Sequence, residues 1–177
     1  MGRVSWYDLA FELIDMRSFS NLWYWIVLAV TWSTTSHWIV GIPWDMVQRA
    51  IRVGGRAAED LEIVARIHAG RVNFIVEVAG LWIVGTVFFG LAVLGTLGFW
   101  FGNEFSQAVF LIVAPLSVVG ALSVRTARRV AAAADLDTIC RTLRVHRRIV
   151  QFIGMAAIFV TSLWGMWQNI NANVLGI

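Results

Sequence analysis

The amino-acid sequence predicts an all-α integral membrane protein: a bundle of four transmembrane helices plus an N-terminal interfacial amphipathic helix. Three observations predict it. Of 177 residues, 59% are hydrophobic and 14% charged, with a mean hydropathy of +0.72, an apolar surplus that a water-soluble domain of this size would have to expose. Four stretches, 22–40, 74–97, 105–124 and 149–167, are nearly free of charge, and each approaches the roughly 20 residues needed to cross a hydrocarbon core about 30 Å thick. Twelve of the 14 arginines fall in two of the connections between them. The length suits one membrane domain, 1–177, with no room for a separate soluble enzyme.

The elements follow in order. Ser5 is placed to cap a helix, with Asp8 three residues on. Asp8, Glu12 and Asp15 then recur on one face while Trp6, Leu9, Leu13 and Ile14 mostly face away. Residues 6–16 are therefore expected to form an amphipathic helix on the periplasmic interface; its acidic polar face is unlike that of lipid-attracted basic helices, and packing against a partner protein explains it equally well. The start of the chain lacks a basic segment followed by an apolar run, so no cleavable signal is expected and the first span serves as its own insertion signal.

After span one, Ile42-Pro43-Trp44-Asp45 starts a helix, and Gly54-Gly55 breaks it. A second helix begins at Ala57, is supported by Glu62 and Arg66 at i,i+4, and runs unbroken into span two. Span three projects through Arg125 to Ala134, Asp135-Leu136-Asp137 turns the chain, and Thr138 to Arg148 leads into span four. Pro115 is expected to kink span three, and Gly120 to ease close contact there. Gly80, Gly85, Gly90 and Gly95 step by ~140° around a helix and cannot line one seam. Gly98 and Gly102, four apart, sit at the exit of span two, where they make a weak packing motif. No strand and no internal repeat is expected.

Charge placement orients the bundle, because arginine in short loops is retained on the cytoplasmic side. Arg49, Arg52, Arg56, Arg66 and Arg71 follow span one, and seven more, from Arg125 to Arg148, follow span three: twelve of 14 arginines on one side. The predicted localisation is thus the bacterial inner membrane, multi-pass, with both termini periplasmic. Tryptophan, which prefers headgroup level, agrees: Trp23, Trp25, Trp100, Trp164 and Trp167 fall at periplasmic ends, Trp38, Trp44 and Trp82 lie towards the cytoplasm, and only Trp32 sits near mid-membrane.

The net charge is +3, with no lysine at all, a bias that a GC-rich bacterial genome would produce. These basic residues crowd beside apolar spans, where anionic lipid headgroups are nearer than nucleic acid, so membrane lipids are expected partners and nucleic acid is not. Arg125, Arg128 and Arg129, with Arg144, Arg147 and Arg148, form the predicted surface for lipid headgroups or a docking partner.

No catalytic residue is expected. Cys140 is the only cysteine, which rules out an internal disulfide and cannot by itself supply the thiolates of an iron–sulfur or structural zinc site. No HExxH, CxxC or histidine pair at ligand spacing occurs, and no metal is expected. Thr31, Ser33, Thr34, Thr35, Ser36 and His37 make the cytoplasmic half of span one unusually polar. Interhelical hydrogen bonding, with hydroxyls also bonding their own backbone, explains this; the alternative is a cofactor or carrier site around His37, with His68 and His146 near the same interface. Haem there would need a second axial ligand at matching depth, which the spans do not supply, so no cofactor is expected. Glu77, early in span two, is placed to pair with Arg71 or a loop arginine, and no second acid at depth completes a proton path.

The segment Trp6-Tyr7-Asp8, with Phe11-Glu12-Leu13-Ile14-Asp15-Met16-Arg17-Ser18-Phe19-Ser20-Asn21-Leu22-Trp23-Tyr24-Trp25, resembles the small alphaproteobacterial inner-membrane proteins labelled "component of SufBCD complex". The resemblance extends over most of the chain, including His37-Trp38 and Gln107-Ala108-Val109-Phe110. It implies association with iron–sulfur cluster assembly, whose machinery is soluble. One cysteine, no nucleotide loop and four spans depart from a scaffold, a desulfurase or an ATPase, leaving the role of a membrane partner. The sequence therefore points to a non-catalytic accessory subunit or assembly partner of a larger membrane complex, and, as the other reading, to a redox or carrier protein using His37.

Overall fold

The computed structural model describes Phe19 and residues 21–174, with side chains through Ile170, so the expected amphipathic helix at 6–16 lies outside the described residues. The chain is all-α, and among the described residues it holds five α-helices and one minute hairpin. Helix α1 spans Leu22–His37, and Asn21 caps it by accepting the Trp23 N–H at 3.0 Å. Two-residue strands β1 (Trp38–Ile39) and β2 (Ile42–Pro43) then pair antiparallel, a departure from the strand-free expectation.

This hairpin turns on Val40 and Gly41, both at positive φ. Such a turn matches strand twist but strains a β-branched residue by about 1–3 kcal/mol. The strain persists because the turn drives Ile39 and Ile42 into the core, where each is almost fully buried. Glycine at 41 avoids strain, since φ is +81° and a Cβ there would stand 2.6 Å from His68 Nδ1, which would have to shift.

Pro43 precedes α2 (Trp44–Val53), where its missing N–H costs no helical bond. Val47 and Ala50 of α2 face inward, Arg49 and Arg52 outward. Gly54 and Gly55, both at positive φ, end it as expected. Helix α3 then runs through Arg56–Gly95 and widens into a π-helical turn at Thr96–Trp100. Its 40 residues measure ~60 Å, twice a hydrocarbon core, so the arginine-bearing half continues beyond the apolar half. Helix α4 (Glu104–Ala131) returns antiparallel, capped by Asn103, and α5 (Leu136–Val174) completes the bundle.

Among the described residues, three helices are long and apolar enough to cross a membrane: α3 with its π turn, α4 and α5. Helix α1 has 16 residues, ~24 Å of rise. The stretch expected to continue to Val40 stops at His37, because the hairpin folds the chain back.

Two cores hold these elements. At the arginine-bearing end, Leu61, Ala65 and Ala69 of α3 form a fully buried seam against Ala127 and Val130 of α4 and Ile139 and Leu143 of α5. Small alanines on successive turns let the backbones approach. Arg66 bridges Glu62 and the Ala133 carbonyl, satisfying an oxygen beyond the end of α4. The second core joins α1 to the α4–α5 pair through Leu28, Trp32, Val119 and Val150. Trp32, the one tryptophan expected near mid-membrane, is a core residue whose indole lies on Gly154. Gly120, expected in a contact, is exposed with open space before it. Gly98 makes the close approach instead: a Cβ there would stand 2.9 Å from the Gln107 backbone nitrogen.

Candidate functional site

The arginines after span three are sorted by helix rotation. Each residue turns ~100°, so Leu122, Arg125, Thr126 and Arg129 share one face of α4. Thr138, Arg141, Thr142, Val145, His146 and Ile149 likewise share one face of α5. Asp135 starts α5 by accepting the Thr138 N–H at 3.0 Å and its hydroxyl at 2.8 Å, bonds that hold the Asp135 carboxyl below its usual range. The short turn lays the two faces against each other, enclosing a cleft of about 320 Å³.

Three guanidiniums, Arg125, Arg129 and Arg141, line this cleft, and no carboxylate does. At its back lies His146, buried, with Nδ1 2.9 Å from Thr126 Oγ1 and Nε2 3.4 Å from Ser123 Oγ. Ser123 donates its own proton to the Val119 carbonyl, so its oxygen can only accept. His146 therefore carries its proton on Nε2, and Nδ1 accepts from Thr126. The ring is a spacer locked by two hydroxyls, and the charge available to a ligand is that of the arginines. Clustered guanidiniums of this kind attract anions.

Of the arginines singled out by sequence, Arg125 and Arg129 enter the cleft. Arg128, Arg144 and Arg148 are exposed elsewhere, and Arg147 faces the other way, its guanidinium 4.2 Å above the Trp44 ring. Arg141 was missed as a site residue, although its three- and four-residue spacing from Thr138 and Val145 carried the signal. His37 is exposed, 3.8 Å from Asp45 and edge-on to Trp38. Thr35 bonds the Thr31 carbonyl, the local use expected of those hydroxyls. His68 packs on the hairpin at Gly41, so the histidines serve different contacts. Among the described residues no three of His, Cys, Asp and Glu gather as a metal site. Glu77 forms no ion pair among the described residues and is exposed on α3.

At the opposite end Gln107 gathers three elements. Its Nε2 donates to Gly98 O at 2.8 Å, while its Oε1 accepts from Trp164 Nε1 at 2.9 Å and Gln168 Nε2 at 2.6 Å. Glu104 accepts the Phe19 N–H there at 2.8 Å. These groups are satisfied by one another and tie the bundle together.

Along the α4–α5 pair lies a second, apolar cleft of about 390 Å³, walled by residues such as Pro115, Val118, Phe152 and Val160. Comparison with protein-family models, with curated proteins and with solved structures gave no match.

Proposed function

We propose that this chain is a non-catalytic, four-span protein of the bacterial inner membrane that serves as an accessory subunit or assembly partner of a larger membrane complex. One observation carries the reading: the most apolar stretch of α3 has none of its residues buried, and Glu77 stands in its exposed stripe Phe74-Glu77-Leu81-Val84-Phe88. Carboxyls at membrane depth are costly in lipid and usually face a bundle interior or another protein. A second polypeptide lying on α3 would satisfy Glu77 and cover Leu81 and Phe88. Helix α1 supplies the fourth crossing, its short rise accommodated by local thinning of the bilayer. The arginine-bearing ends lie in the cytoplasm.

The resemblance to the family labelled "component of SufBCD complex" makes iron–sulfur assembly proteins the first partners to seek. A photoreactive phenylalanine analogue at Leu81 should give a discrete heavier adduct in native membranes, reduced by Glu77→Leu. A lone monomer, uncrosslinked and co-purifying with nothing across several mild detergents, would overturn the reading. For orientation, a Cys140→Ser background with Phe101→Cys should react with an impermeant maleimide in spheroplasts, whereas Glu59→Cys should react only after the membrane is opened. The reverse pattern would invert the topology.

A further inference from the structure

The residues lining the two clefts between α4 and α5 fall on one helical stripe of each helix. On α4, Arg129, Arg125, Leu122, Val118, Pro115 and Leu111 follow one another at alternating steps of four and three, a single helical stripe. On α5 the facing stripe is Thr142, Val145, Ile149, Phe152, Ala156 and Val160. The helices run antiparallel, so polarity changes along the groove in the same direction on both walls. One end is cationic and hydroxyl-bearing; the other is wholly hydrocarbon. Helical rise puts Pro115 ~15 Å deeper than Arg125, about half of a hydrocarbon core and thus one leaflet.

We propose that this groove binds one phospholipid with an anionic phosphate headgroup, the phosphate held by Arg125, Arg129 and Arg141 and an acyl chain lying along Pro115, Val118, Phe152 and Ala156. Charge complementarity selects the headgroup. Three guanidiniums with no lining carboxylate attract a net negative phosphate and repel the ammonium of a choline headgroup. Thr142 adds a hydroxyl at the same level. Buried His146 shapes the floor, its two ring nitrogens already occupied by Thr126 and Ser123. The apolar continuation selects a lipid over free phosphate, which would leave that half of the groove unfilled. The site shares no residue with the exposed α3 stripe, so it stands whether or not a partner covers α3.

The test uses the full chain, delipidated in a neutral maltoside detergent and followed by native mass spectrometry. Dioleoylphosphatidylglycerol, dioleoylphosphatidylcholine and inorganic phosphate are the probes. Phosphatidylglycerol should be retained as a one-lipid adduct and phosphatidylcholine should not. The triple variant R125Q/R129Q/R141Q should bind phosphatidylglycerol about tenfold or more weakly, whereas R128Q/R144Q/R148Q, equal in charge and on the same hairpin but outside the cleft, should stay within about threefold. Ala156→Trp fills the apolar half and should lower lipid retention without altering the arginines. Equal losses in the two triple variants would mean diffuse surface charge and overturn the site. Protection by inorganic phosphate alone, or an unaffected adduct in A156W, would overturn the lipid assignment. Should the triple variant fail to fold, R141Q and A156W carry the same outcomes.

Discussion

The Arg147 guanidinium lies 4.2 Å above the Trp44 ring, joining the helix after the hairpin to the last helix of the bundle. Both residues are half-buried, so the cation is partly withdrawn from water and the ring quadrupole acts on it more strongly. Arg147→Ala should lower stability by about 1–2 kcal/mol, and Arg147→Lys should recover part of that. A double-mutant cycle with Trp44→Leu, read by thermal unfolding in detergent, should give a coupling of the same sign; additive losses would show that the two side chains act separately.

Trp32 rests on Gly154 so closely that a Cβ there would stand 2.8 Å from the indole Cε3. Gly154→Ala should therefore push α1 from α5 and cost about 1–3 kcal/mol. Trp32→Phe in the same chain should relieve part of this. Thermal melts of the three variants decide it: a G154A protein as stable as the parent would mean that α1 moves without resistance.

Gln107 holds Gly98, Trp164 and Gln168 at once. Gln107→Leu strands three groups at one stroke. Interhelical hydrogen bonds in membranes contribute about 0.6–2 kcal/mol each, so the variant should lose about 2 kcal/mol, and Trp164→Phe, which removes one donor, distinctly less. Equal stability of Q107L and the parent would show that water replaces the network.

Asp135 accepts two bonds from Thr138, which lower its pKa in the folded chain. A carboxyl whose folded pKa lies below its unfolded value stabilises fully above the unfolded value and loses that contribution as pH falls through the folded one. The first turn of α5 should thus keep its protection at neutral pH and loosen below the usual carboxylate range. Amide protection factors at Thr138 and Ile139 read this directly. Asp135→Ala should be loose throughout, and a pH-independent parent would exclude the carboxylate cap.

Much of the architecture was legible as pattern. Gly54-Gly55, Pro43 and Asp135 mark helix boundaries because each acts on its own backbone or on its neighbours within one turn. The continuity of α3 followed from the absence of any breaker between Arg56 and Gly95. The hairpin did not: Val40 is a residue that local preference keeps out of positive φ, and it turns there only because Ile39 and Ile42 gain a core on either side. Gly120 misled for the related reason that a glycine reports permission for close approach and not the presence of a neighbour.

The candidate cleft divides the same way. Arginine sidedness and the lengths of the apolar stretches are properties of the chain in one dimension, weighed against a slab of fixed thickness, and they were there to be read. Which guanidiniums meet depends on the antiparallel register of α4 and α5: it brings Arg141 across from Arg125 and Arg129 and turns Arg147 onto Trp44. Register is settled by packing Ala127 and Val130 against Ile139 and Leu143, and contacts between separate helices exist only once their backbones are set side by side.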